Sequence, residues 1–138
     1  MTTRRVFLRT AGAAVAGSFA AACAQETTAA DGGGTVTGTF RVALPAVGQT
    51  VAISGAGAGG QGIAVTRLTD TSVVAVSRQC THQHCTVNLP TSAGGVLACP
   101  CHGSEFSPSG AVVSPPAIAP LPTYPAVIEG NEVVVTVS

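Results

Sequence analysis

The chain has 138 residues, six Arg, six acidic residues and no Lys, for a formal net charge of zero. Three of the Arg (Arg4, Arg5, Arg9) lie in the first ten residues, so from Cys23 onward three Arg stand against six acids and the balance is about three negative charges. That excludes the basic footprint a nucleic-acid-binding protein needs, and the length allows one domain with a modest core.

Residues 1–22 read as a leader. Thr3-Arg4-Arg5-Val6-Phe7-Leu8-Arg9 resembles a twin-arginine export signal. The uncharged run Thr10–Ala22 that follows is shorter than the roughly 20 apolar residues of a bilayer span. Phe19-Ala20-Ala21-Ala22-Cys23 resembles a lipoprotein cleavage box, with ordinary cleavage after Ala24 as the alternative. Of the five Cys, four fall in two later boxes and Cys23 is left over. An odd Cys in an exported protein needs a fate, and lipidation of Cys23 supplies one. Residues 23–38 are small and polar and read as a flexible tether.

From Thr39 to Ser138 short β-branched runs alternate with Gly, Pro and Ser. The expected strands are Thr39–Leu44, Thr50–Ser54, Gly62–Leu68, Ser72–Ser77, Gly95–Ala98, Ala111–Val113, Ala126–Glu129 and Glu132–Val137, with Gly130-Asn131 as a hairpin turn. No stretch keeps a helical period. The expected class is all-β, a small antiparallel barrel or sandwich.

The chemistry is concentrated in Cys80-Thr81-His82-Gln83-His84-Cys85 and Cys99-Pro100-Cys101-His102-Gly103-Ser104, which hold four Cys and all three His. Each box follows an apolar run, so each is expected on a loop at a strand end. Three metal readings compete. A structural zinc site, as in a zinc-stabilised binding module, usually pairs Cys with Cys and His with His at close spacing, whereas each box mixes them. A c-type haem needs Cys-x-x-Cys-His, and Cys99-Pro100-Cys101-His102 is one residue short. A 2Fe-2S cluster with two Cys on one iron and two His on the other fits both boxes.

Cys80-Thr81-His82, sixteen residues, then Cys99-Pro100-Cys101-His102-Gly103-Ser104 resembles the Rieske iron–sulfur proteins. The resemblance implies a Rieske domain over residues 39–138 with one 2Fe-2S cluster. Cys80 and Cys99 would bind the inner iron, and His82 and His102 the outer iron near solvent. Cys85 and Cys101 match the positions that form a loop-to-loop disulfide in the high-potential branch, a bond that an oxidising compartment permits. Ser104 matches a hydroxyl that donates to a bridging sulfide. Phe106 stands where the highest-potential relatives carry Tyr, which implies a potential below theirs. The Pro-rich segment Ser114–Pro125 matches the loop that covers the cluster. His84 departs from the pattern, because the family has Gly there for its backbone freedom.

The resulting expectation is an exported, lipid-anchored protein at the outer face of the cell membrane that transfers one electron at a time to or from a redox partner protein or quinol. It reads as a carrier or electron-transfer subunit rather than an enzyme acting alone. The alternatives are the Rieske subunit of a cytochrome bc quinol–cytochrome c oxidoreductase and the small subunit of an exported molybdenum oxidase such as arsenite oxidase.

Overall fold

The structure is a computed structural model and describes residues 34–138. The leader, Cys23 and residues 24–33 of the proposed tether lie outside the described residues. Ten strands form three antiparallel sheets. The first joins β1 (Gly38–Ala43), β10 (Glu132–Val137) and β9 (Ala126–Glu129) in the order β1-β10-β9. The second joins β2 (Thr50–Ile53), β3 (Ile63–Arg67), β4 (Val73–Ser77) and β8 (Thr123–Tyr124) in that order. The third joins β5 (Leu97–Ala98), β6 (Glu105–Phe106) and β7 (Val112–Ser114). Among the described residues no helix is long and apolar enough to cross a membrane.

The second sheet is covered on both faces, which is why β3 is buried continuously from Ile63 to Thr66 rather than at alternate residues. Successive side chains leave a strand on opposite faces. Ile63, Val65 and Ala75 therefore pack against Val133, Val135 and Val137 of β10. Ala64 and Val76, on the other face, pack with Cys80, Val87, Leu97, Cys99, Phe106 and Leu121. The second core thus contains one Cys of each box. Thr66 also lies in the buried run, and its hydroxyl shares a hydrogen bond of 2.8 Å with that of Thr50.

The β9–β10 hairpin turns at Gly130-Asn131, with Glu129 paired to Glu132 and Gly130 at φ 60°. That is the two-residue turn the sequence calls for. Among the described residues pairing begins at Val36, which exchanges both backbone hydrogen bonds with Gly57 (2.9 and 3.0 Å), inside the segment read as tether. Two strands escape the sequence pattern, β6 and β8. Each is two residues long, too short for a period to register.

Candidate metal centre

Both boxes are turns at the ends of strands. Box 1 follows β4 and closes at a Gln79–Thr86 bridge. Box 2 is the connection of the β5–β6 hairpin. Asn88 donates to the carbonyl of Ala98 at 2.7 Å and so places the two loops side by side.

The loops share one backbone. In box 1 the Cys80 N–H donates to the Cys85 carbonyl (2.8 Å) and the His84 N–H to the Cys80 carbonyl (2.9 Å). In box 2 the Cys99 N–H donates to the Ser104 carbonyl (2.7 Å) and the Gly103 N–H to the Cys99 carbonyl (3.1 Å). The fifth position is left-handed in both, with φ 57° at His84 and 79° at Gly103. Glycine takes that conformation freely, whereas an L residue pays about 1–2 kcal/mol for it. Among the described residues His84 is the one non-glycine at positive φ. The conformation that box 2 obtains with glycine is therefore met in box 1 by histidine, under strain.

This backbone aims the side chains. Cys80 and Cys99 are buried free thiols, 0% and 3% exposed. His82 and His102 are exposed, and their rings face each other edge to face with centroids 5.1 Å apart. Two imidazoles bound to one tetrahedral metal through bonds of about 2.1 Å would have ring centres about 5.2 Å apart. The donor set therefore suits a group with a thiolate-bound inner end and an imidazole-bound outer end. Cys85 and Cys101 form a disulfide, with Cα atoms 6.4 Å apart. The Sγ atoms of Cys85, Cys99 and Cys101 lie within 4.8 Å of one another, but two of these sulfurs are bonded to each other. A ligating cysteine must be a thiolate, so this trio is not a ligand set. The bridge instead ties the two loops together beside Cys99.

The Rieske 2Fe-2S domain is the family whose model matches the chain, over residues 45–125, a stretch that contains both boxes and the Pro-rich segment. The chain belongs to the Rieske family. Its Rieske domain binds a 2Fe-2S cluster. The iron–sulfur subunit of the cytochrome b6-f complex of Chlorobaculum tepidum is 39% identical over 67 residues, which are 49% of this chain and 36% of that subunit. The match thus spans little more than a third of that relative's length. Among solved structures, the plasma membrane Rieske protein of Synechocystis PCC 6803 is 38% identical with a TM-score of 0.51, covering 55% of this chain and 77% of that one. A chain of a hyperthermophilic respiratory Complex III is 26% identical with a TM-score of 0.53, covering 67% and 71%.

In this Rieske domain the Pro-rich loop is fastened to both boxes. The Ala117 N–H donates to Ser104 Oγ at 3.0 Å, and the Thr81 hydroxyl donates to the Ala119 carbonyl at 2.7 Å. Leu121 anchors the end of the loop in the core that holds Cys80 and Cys99. Ile118, between the two fastenings, is 97% exposed. Ser104 is fully buried, and among the described residues its own proton has no protein acceptor. A buried hydroxyl that accepts from the loop and keeps its proton free can still donate to an acceptor placed beside it. Phe106 is also fully buried, paired to Leu97 across the β5–β6 hairpin.

Two contacts of the site have no sequence signal. Thr81 holds the Pro-rich loop from 38 residues away. Gln61, in a Gly-rich loop before β3, donates through Nε2 to the His84 carbonyl and accepts at Oε1 from the Thr86 hydroxyl at 3.0 Å. The electrostatics of this end are plain. No Asp, Glu, Lys or Arg occurs from Gln79 to Ser104 or from Phe106 to Ile128. Of the charges that border these stretches, Arg78 donates to the Val87 carbonyl and Glu105 accepts from the Ser114 hydroxyl. Arg41 pairs with Glu129 and Glu132 on the first sheet.

Proposed function

We propose that this Rieske protein carries one electron at a time on the outer face of a bacterial cell membrane, held there by a lipid on Cys23. The cluster would be held by Cys80 and Cys99 at its inner iron and by His82 and His102 at its outer iron. The observation that carries the reading is the pairing of two buried free thiols with two exposed imidazoles 5.1 Å apart. The exposed rings give a redox partner protein or quinol a route to the cluster, while burial of the thiols keeps solvent from the inner end. Ser104 and Phe106 would set the potential. The Cys85–Cys101 disulfide supports an oxidising compartment.

The direct test is iron, sulfide and zinc analysis with an EPR spectrum of the dithionite-reduced protein. The expected result is two irons and two sulfides per chain and a rhombic signal that His82→Ala or His102→Ala abolishes. Zinc without sulfide would return the chain to the class of zinc-stabilised binding modules. For location, Cys23→Ala should move the exported protein from the membrane to the soluble fraction. Unchanged membrane retention would remove the lipid anchor from the proposal.

A second reading makes the chain the iron–sulfur subunit of a quinol-oxidising cytochrome complex. The 39% identity to the Chlorobaculum b6-f subunit favours it. Co-purification with haem-bearing subunits from detergent-solubilised membranes would select it over a free carrier.

A further inference from the structure

We infer that Gln61 is a positioning residue for the cluster, acting through the strained backbone of His84. The inference rests on the reading that box 1 binds the cluster, and it assigns a task to a residue outside both boxes. The two boxes pose the same backbone problem and solve it differently. Each needs a left-handed fifth residue to return its chain to the inner Cys. Box 2 has Gly103 there at φ 79°, a conformation glycine takes freely, so that turn needs no outside support. Box 1 has His84, for which the extended and right-handed conformations are cheaper.

The compensation lies next door. Gln61 donates to the carbonyl of His84 itself, and its oxygen accepts from Thr86 two residues on. A single amide thus spans the returning limb of box 1, on both sides of the disulfide-bonded Cys85. Box 2 has no counterpart of this brace among the described residues. Gln61 is in turn well held. Its backbone N–H donates to the Ala58 carbonyl at 3.3 Å, and the carbonyl of the next residue, Gly62, accepts from the Arg78 N–H at 2.9 Å. Gly62 sits at φ 104°, and a Cβ there would lie 2.8 Å from the Ile53 carbonyl, so the glycine lets this support approach β2. His82 lies two residues before His84, on the limb whose end the amide fixes. Release of the His84 carbonyl therefore frees the turn that presents His82.

The inference makes Gln61 and His84 energetically coupled, and glycine at position 84 should cancel the need for the brace. The test is a double-mutant cycle in the holoprotein with Gln61→Ala, His84→Gly and the pair. Three quantities are read: iron and sulfide content, the EPR g-values and reduction potential, and amide hydrogen exchange at His84 and Cys80. Loss of one brace should speed exchange at these two amides about tenfold in Gln61→Ala, with a shifted or broadened EPR signal. Box 2 amides should keep their protection. His84→Gly/Gln61→Ala should return exchange and g-values to those of His84→Gly alone. Gln61→Glu, isosteric but without the amide donor, should behave like Gln61→Ala. Wild-type exchange and spectra in Gln61→Ala would overturn the inference, as would a defect of equal size with and without His84→Gly. If Gln61→Ala fails to load the cluster, loading of the double variant to the His84→Gly level upholds the inference and failure of both overturns it. A wild-type protein with no sulfide would sink the cluster reading instead, and the exchange data would still decide whether Gln61 braces His84.

Discussion

Ser104→Ala separates two duties of one buried hydroxyl. The oxygen accepts the Ala117 N–H at 3.0 Å, and both residues are buried. Removing it leaves a buried N–H unpaired, which costs about 1–3 kcal/mol of stability. The proton, on the proposed reading, donates to a cluster sulfide. That bond is stronger when the cluster is reduced, because hydrogen bonds to more negative acceptors are worth roughly 1 kcal/mol more than those to less charged ones. For a one-electron couple 1.4 kcal/mol corresponds to about 59 mV, so the potential should fall by about 40–60 mV. A loosened Pro-rich loop alone would act in the opposite direction. Water entering over the cluster stabilises the more negative reduced state and raises the potential. The sign therefore distinguishes the two duties. Protein-film voltammetry reads the potential and guanidinium denaturation reads the stability. Ser104→Thr, which keeps the hydroxyl, should hold its potential even if the added methyl group costs stability at this fully buried position. A potential that is unchanged or higher in Ser104→Ala would refute donation to the sulfide and leave Ser104 as a fastening of the loop.

Other outcomes follow from neighbouring features. Phe106→Tyr should raise the potential by about 40 mV, one new hydrogen bond to a cysteine sulfur, and voltammetry showing no rise would count against that contact. Replacing both Cys85 and Cys101 with Ser should cost about 3 kcal/mol in denaturant unfolding, from the sixteen-residue separation the disulfide closes. A loss under 1 kcal/mol would mean that the loop-to-loop hydrogen bonds already hold the boxes. Oxidation of the reduced protein by ferricyanide should vary little with ionic strength despite the acid excess of the domain, because the charges flanking the boxes, Arg78 and Glu105, are opposite in sign and each is held by a hydrogen bond. A steep salt dependence in stopped-flow would show that distant charges dominate the encounter.

Sequence and structure meet most closely where one signal suffices. The β9–β10 hairpin is legible because Gly130-Asn131 fixes a two-residue turn and the flanking runs are long. β6 and β8 were invisible because their conformation is imposed from elsewhere. Tyr124 is held by pairing to Ala75 and by a hydroxyl that accepts the Ala58 N–H at 2.9 Å. In the site, the two boxes stood out in the sequence itself and the Cys85–Cys101 pairing was readable through resemblance. Thr81's hold on the Pro-rich loop and Gln61's hold on box 1 were not. Polar residues of this kind are common on surfaces, and only the fold brings Gln61 to a carbonyl 23 residues away. His84 lay between these cases. The sequence marked it as a substitution for glycine, and the left-handed φ of 57° shows what it must endure there.

The twin hydrogen-bond pattern of the two boxes has a consequence for engineering. Counted from the inner Cys, the third side chain is His82 in one turn and Cys101 in the other, and the fourth is Gln83 in one and His102 in the other. One six-residue wire thus presents imidazole from either of two adjacent positions without changing its closure. A designer transplanting this centre would copy a single turn onto two neighbouring strand ends. The permutation of sulfur and nitrogen would then be written in side chains alone.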